Sequence, residues 1–175
     1  MTSPHIEIPL TQSVHGATLA ESALHRYLAF AALYFAQGLP IGLLLFALPA
    51  WLAKQGLSTA EVGRFVAVVT LPWTLKLVWG PVLDRFGYLP MGRRRPWIIL
   101  AQTGLLGSLM LLSLVPDPAV NLQLLSAMGF MVSVFASLQD VAVDGLAIDV
   151  FPVEQRGRAS GIMFGGQSLG IASGS

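Results

Sequence analysis

Five long apolar runs constrain this chain more than any other feature of its sequence. They cover about residues 27–53, 62–83, 96–115, 122–148 and 157–175. A helix needs about 20 consecutive apolar residues to cross the hydrocarbon core of a bilayer. Only 11% of the residues are charged, against about 25% in soluble proteins, so the polar surface is too small to cover a soluble globule. The sequence therefore predicts an all-α integral membrane protein with about five transmembrane helices, preceded by a polar cytoplasmic tail at residues 1–26.

Several classes of site have little support in the sequence. The net charge is +1 and there are no cysteines, which argues against nucleic-acid binding, disulfides and thiolate metal ligands. The three histidines, His5, His15 and His25, lie ten residues apart within the tail, which is not the short spacing of metal ligands, so we expect no metal site and no cofactor. The fifth run continues to Ser175 without a closing polar flank, which leads us to expect an N-terminal fragment of a longer protein.

Basic residues between the runs predict the orientation in the membrane, because Lys and Arg concentrate in cytoplasmic loops. Seven of them fall on the side of the N-terminus: Arg26, Arg85, Arg93, Arg94, Arg95, Arg156 and Arg158. The opposite side has only Lys54 and Arg64. The N-terminus is therefore expected in the cytoplasm.

Charged residues inside the runs are the candidate site. Lys76 lies eight residues before the exit of the second run near Asp84, and Asp140 lies eight before the exit of the fourth near Ile148. At a rise of about 1.5 Å per residue both are about 12 Å deep. Charges within a bilayer avoid lipid, pair with one another and often serve as proton relays. Lys76 and Asp140 therefore form either a structural ion pair or a proton or substrate site, and the sequence leaves both open.

Neighbouring polar residues extend this candidate site. Gln139 adjoins Asp140, and Asp144 lies one helical turn further on, where we favour a gating or structural role. Gln37 precedes Pro40 in a first run that Gly38, Gly42 and Pro49 also interrupt. A proline bend of this kind is typical either of helix packing or of a cavity wall. In the fifth run, glycines at spacings of four predict close helix packing: Gly161, Gly165, Gly166, Gly170 and Gly174.

The link between the second and third runs, GPVLDRFGYLPMGRRRPW, carries the strongest local signal. Gly80 and Pro81 are expected to end the second helix, and Asp84 and Arg85 follow at the interface. Arginine can hold a carboxylate with two hydrogen bonds, so Arg93 and Arg94 are candidates to clamp Asp84 or the acidic end of the fourth run.

This link, with Gly80, Asp84, Arg85, Gly92, Arg93 and Arg94, resembles the signature loop of the major facilitator superfamily. YFAQGLPIGL, LKLVWGPVLDR, GRRRPW and LQDVAVDGLAIDVFPVEQRG further resemble the peptide and acetyl-coenzyme A transporters, which include the AmpG-type muropeptide permeases. The resemblance implies the N-terminal half of a twelve-helix fold of two pseudo-symmetric halves. It also implies alternating access, a muropeptide-like or acyl-coenzyme A-like solute, protons as a second partner, and a bacterial inner membrane. The link is longer than the superfamily pattern, which puts residue-by-residue transfer of the clamp in doubt.

Three alternatives stay open. GRRRP also resembles sugar permeases of the same superfamily. A membrane scaffold without transport activity is possible, since five helices form no complete pathway. An intramembrane aspartyl protease is disfavoured because its G-x-G-D signature is absent and the aspartates share one helix, and no enzyme activity is expected.

Overall fold

The computed structural model describes residues 22–86 and 92–175, which form helices and the connections between them. The α-helices are α1 (Ala23–Gly42), α2 (Leu48–Lys54), α3 (Thr59–Thr70), α4 (Lys76–Arg85), α5 (Arg95–Ser113), α6 (Leu122–Val150) and α7 (Val153–Gly174). A π-helical segment, Leu43–Ala47, joins α1 to α2, and a 3-10 segment, Leu71–Leu75, joins α3 to α4. These two segments therefore link four of the α-helices into two long rods.

In the described part of the chain, four helical rods are long and apolar enough to cross a membrane. They are Ala23–Lys54, Thr59–Arg85, Arg95–Ser113 and Leu122–Val150, and they agree with the predicted all-α membrane class. The fifth predicted run corresponds to α7, a helix of 22 residues. Its glycine, serine and charged residues lower its hydropathy, and it is not among those four rods.

Three helices begin three or four residues before the apolar runs that predicted them. Ser22 caps α1, where its hydroxyl accepts from the backbone N–H of His25 at 3.4 Å, so His25 lies exposed in a helical turn. Ser58 and Glu61 form a reciprocal capping box at the start of α3. Polar capping residues extend a helix beyond its apolar run, which explains the early starts of α1 and α3. The third helix, α7, follows Pro152 and has no side-chain cap. The tail prediction for residues 1–21, with His5 and His15, lies outside the described residues.

The first rod bends without breaking. Pro40 lies inside α1, and the π-helical segment begins three residues later. Proline supplies no backbone N–H and crowds the preceding turn, and a π-helical turn is one way to accommodate such a disturbance. The predicted interruption around Pro40 is therefore a local widening of a helix that continues to Lys54.

Close backbone contact joins α1 to α7. A Cβ atom placed on Gly170 would lie 2.2 Å from the Phe35 carbonyl oxygen, and one on Gly38 would lie 2.3 Å from the Gln167 carbonyl oxygen. Gly42, Gly166 and Gly174 have equally close neighbours across the same interface. Glycine is thus required on both helices, whereas Gly161 and Gly165 have open space around them and take no part in this contact.

Two apolar clusters occupy opposite ends of the helices and leave a polar layer between them. One cluster includes Phe30 on α1 and Val143 on α6, and the other includes Leu44 and Val132. Four buried polar residues of α1 and α6 fall between these clusters: Gln37, Ser137, Gln139 and Asp140. Arg26 and Ser133 are also buried but lie outside this layer, near the start of α1 and beside Val132 on α6. The fold therefore places a set of polar side chains in the middle of an apolar bundle.

Candidate functional site

Asp140 is held by two other helices of the bundle. One carboxylate oxygen, Oδ2, forms an ion pair with Nζ of Lys76 at the start of α4. The other oxygen, Oδ1, accepts a hydrogen bond from Nε2 of Gln37 on α1. The Asp140 side chain is only 7% exposed, whereas that of Lys76 is 39% exposed. The structure thus brings together three residues that the sequence singled out, and it connects α1, α4 and α6 through one carboxylate.

A second carboxylate, Asp144, is bound by a residue that the sequence analysis did not select. The Tyr34 hydroxyl donates a hydrogen bond to Asp144 Oδ1. Tyr34 precedes Gln37 by three residues on α1, and Asp144 follows Asp140 by four on α6. Residues at these spacings share one helical face, so α1 and α6 meet through two successive polar contacts. The matching spacing on the two helices becomes a signal only once α1 and α6 are known to pack together, so the sequence alone did not identify Tyr34.

Gln139 occupies a different position from its neighbour Asp140. Its side chain is fully buried, and its Nε2 donates to the Leu33 carbonyl oxygen on α1 at 3.2 Å. It does not line the open cavity that Asp140 borders. The predicted pathway role therefore has no geometric support for Gln139, which instead fixes α6 against the backbone of α1.

An open cavity of about 620 Å³ lies beside these two carboxylates. Its walls are formed by the rods Ala23–Lys54 and Thr59–Arg85 together with α6 and α7. The lining residues are Tyr34, Ile41, Leu45, Thr70, Trp73, Lys76, Asp140, Asp144, Ser160, Met163, Phe164, Gln167 and Ile171. Small-molecule sites commonly enclose about 300–1,000 Å³, with apolar walls and a few convergent polar groups. The cavity has that composition: its polar groups are one ammonium, two carboxylates, one phenol and the side chains of Thr70, Ser160 and Gln167, and the rest of its wall is apolar.

Asp144 also borders a second cavity, of about 290 Å³, between α6 and α7. Arg156 and Phe151 belong to its lining. The Arg156 guanidinium donates to the carbonyl oxygens of Ile148 at 2.9 Å and Phe151 at 3.3 Å, which stabilises the turn from α6 into α7. Asp144 therefore lies at the junction of the larger cavity and the end of the bundle where the arginines gather.

The predicted arginine clamp is centred on Arg94. Its Nη2 atom lies 2.6 Å from Asp84 Oδ1 at the end of α4, and its Nε atom lies 3.7 Å from Asp149 Oδ2 at the end of α6. Arg93 adds a hydrogen bond of 3.3 Å to the Asp84 carbonyl oxygen. A Cβ on Gly145 would lie 2.6 Å from Arg94 Cζ, so glycine makes room for the guanidinium.

The other residues predicted for the clamp do not join it. Gly80 has open space around it among the described residues. The prediction that Gly80 and Pro81 end the second helix is wrong, because α4 continues through both residues to Arg85. Arg85 is exposed without an ion pair among the described residues. Asp144 bonds to Tyr34 on the cavity side. Gly92 adopts φ +84°, a backbone conformation that favours glycine. The clamp thus consists of Asp84, Arg93, Arg94 and Asp149. Within the part of the chain that the structure describes, no group of three or more His, Cys, Asp or Glu residues could hold a metal ion.

Comparison with known proteins identifies the family. Residues 30–175 match the family model of the Major Facilitator Superfamily. The chain belongs to this superfamily. An uncharacterized protein of Haemophilus influenzae is 33% identical over 149 residues, which cover 79% of this chain and 35% of that protein. No solved structure matches the chain significantly.

Two further relatives of this superfamily member have informative names. The anhydromuropeptide permease of Escherichia coli K12 is 30% identical over 137 residues, 78% of this chain and 28% of the permease. The putative transporter AmpG 1 of Rickettsia prowazekii is 33% identical over 125 residues, 69% of this chain and 28% of that protein. These matches confirm the resemblance to AmpG-type permeases. The chain spans about a third of the length of the curated relatives it matches.

Proposed function

We propose that this chain forms part of a proton-coupled transporter that moves a polar solute across a bacterial inner membrane by alternating access. The observation that carries the proposal is the ion pair between the buried Asp140 carboxylate and the partly exposed Lys76 ammonium, in the wall of a cavity of about 620 Å³. The names of the relatives, permease and transporter, support transport. The anhydromuropeptide permease favours a muropeptide-like solute, with an acyl-coenzyme A-like solute as the second possibility from the resemblance. The rest of the transporter supplies the opposite wall of the cavity.

Asp140 carries the proton in this proposal. A buried carboxylate is tolerated while an ammonium compensates its charge, and it becomes unfavourable when that partner moves away. Protonation of Asp140 removes the charge and breaks the ion pair that connects α4 to α6, so these two helices can separate while Gln37 stays hydrogen-bonded to Asp140. Movement of Lys76 and movement of a proton are thereby coupled through one side chain.

The arginine clamp regulates the same cycle from one end of the bundle. Arg94 connects the end of α4 to the end of α6 through Asp84 and Asp149. We place this end in the cytoplasm, together with the N-terminus, because seven of the basic residues between the runs belong to that side. Closing and opening of the cytoplasmic side then require these ion pairs to form and break.

The test of the proposal is uptake of an anhydro-muropeptide into vesicles containing the full-length protein, with and without an imposed pH gradient. Asp140→Asn should retain the fold and lose the stimulation by the gradient, because an amide cannot carry the proton. Asp117→Asn, the same change at an exposed turn, should behave as wild type. Full gradient dependence in Asp140→Asn would show that the Asp140–Lys76 pair is structural.

The clamp gives a separate prediction. Asp84→Asn should slow the change of access between the two membrane faces more than it weakens solute binding, because it removes the carboxylate that Arg94 holds at 2.6 Å. Cysteine labelling of the cavity from each face measures access, and equilibrium binding measures affinity. Arg85→Gln is the matched control in the same segment. An unchanged labelling pattern together with lost binding would assign Asp84 to the solute site instead.

A further inference from the structure

The two partners of the central ion pair differ in their exposure to the cavity. The Lys76 side chain is 39% exposed, whereas the Asp140 side chain is 7% exposed. Lys76 is also the only cationic residue among the described residues that line this cavity. A solute that enters the cavity therefore meets the ammonium of Lys76 first, with Asp140 behind it.

We propose, on the basis of the proposed transport function, that Lys76 binds a carboxylate of the solute and that this carboxylate displaces Asp140 from the ammonium. Both are oxygen anions of the same type, so the solute offers Lys76 an equivalent charge-assisted hydrogen bond. Asp140, left without its cation, takes up one proton from the bulk solution, delivered through the water of the cavity, and a new O–H bond forms on its carboxylate. Solute binding is then the event that loads the proton.

The charge of the cavity explains why the two events occur together. The groups that face one another are Lys76, Asp140, Asp144 and the phenol of Tyr34. With both carboxylates ionised, one ammonium and two carboxylates give the site one net negative charge. A bound solute carboxylate would add a second negative charge to a site whose walls are mostly apolar, where uncompensated charge is unfavourable. One proton on Asp140 restores the original balance, so the cavity accepts one proton for each solute carboxylate held at Lys76.

Two neighbouring side chains favour the exchanged state. The Lys76 ammonium lies 4.6 Å from the centroid of the Trp73 ring, a cation–π contact that does not depend on Asp140. On the other side, Gln37 donates to Asp140 through Nε2, and its buried Oε1 has no hydrogen-bond partner among the described residues. Protonated Asp140 gains an O–H donor, and Gln37 Oε1 is a free acceptor beside it. Trp73 thus stabilises the Lys76 ammonium after it leaves Asp140, and Gln37 stabilises Asp140 after it takes up a proton.

The inference is tested by binding of two matched probes to the purified full-length protein. One is an anhydro-muropeptide with free carboxylates, and the other is the same compound with its carboxylates converted to carboxamides. The free acid should bind about tenfold more tightly, as expected for loss of one charge-assisted hydrogen bond. Its binding should also take up protons from weakly buffered solution, whereas the amide should bind without proton uptake.

Variants separate this inference from the proposed function. Lys76→Gln should abolish both the preference for the acid and the proton uptake, and Asp140→Asn should keep the preference while losing the uptake. Arg64→Gln, which lies outside this cavity, should match wild type in both measurements. Equal binding of both probes by wild type, with uptake into vesicles still dependent on the pH gradient, would overturn the inference and leave the proposed function standing. Binding of neither probe would overturn the proposed solute class and this inference with it.

Discussion

Gly170→Leu is expected to prevent stable folding of the full-length protein. Even the Cβ of a new side chain would lie 2.2 Å from the Phe35 carbonyl oxygen and 2.9 Å from the Cα of Gly38. These are backbone atoms, so α1 and α7 must move apart along their shared interface. Overpacking commonly destabilises a protein by about 1–3 kcal/mol, and the loss here should reach the upper end or exceed it. Size-exclusion profiles and thermal unfolding of the purified protein measure the effect.

Gly165→Leu is the control for this change, because it introduces the same side chain on the same helix. Gly165 has open space around its Cα, and leucine is a better helix former than glycine by up to about 1 kcal/mol. We expect the control to be at least as stable as wild type. Equal loss of folded protein in both variants would mean that leucine disturbs α7 itself, and the close contact with α1 would not be the cause.

Lys76→Ala should destabilise the protein more than the double change of Lys76→Ala with Asp140→Asn. The single change leaves the buried Asp140 carboxylate without its cation, and removal of one partner from a buried pair is strongly destabilising, by about 3–5 kcal/mol. The lower end of that range applies here, since Lys76 is partly exposed to the cavity. In the double variant an uncharged amide replaces the carboxylate, so much of the stability should return.

Thermal unfolding of the four proteins of this mutant cycle gives the coupling energy between the two sites. A positive result is a clear non-additivity, with the double variant more stable than Lys76→Ala alone. Additive losses would show that Asp140 gains no stability from Lys76. That outcome would also remove the physical reason for Asp140 to take up a proton when the Lys76 ammonium binds a solute carboxylate.

Much of the fold could be predicted from the sequence, because the apolar runs are long and the charges within them are few. Depth along two helices was sufficient to suggest that Lys76 and Asp140 meet, and the structure places them in contact. The first residues of the helices were harder to predict, because capping residues such as Ser22 and Ser58 are polar and lie outside the apolar runs. Glycine spacing predicted close packing. Only the three-dimensional arrangement shows that the partner helix is α1 and that Gly166, Gly170 and Gly174 are the glycines of α7 that contact it.

Parts of the candidate site could not be predicted from the sequence. Tyr34 looks like any aromatic residue in an apolar run, and only the packing of α1 on α6 gives its hydroxyl a carboxylate. Gln139 and Asp140 are adjacent in sequence, yet one faces the α1 backbone and the other the cavity. Successive residues on a helix point about 100° apart, so a short polar motif does not reveal which of its members reaches a solute.

The glycine contact between α1 and α7 has a mechanical consequence. Backbones that touch along several turns cannot slide without clashes, so these two helices should move as one block. The connection from this block to α6 differs in kind, because it includes the hydrogen bonds of Gln37 and Tyr34 to two carboxylates. On one side, α1 therefore has a rigid backbone contact with α7. On the other side, it has a contact with α6 whose hydrogen bonds depend on the charge of two carboxylates. Protonation of Asp140 or Asp144 therefore changes the contacts on the α6 side of α1 and leaves the backbone contact with α7 as it was.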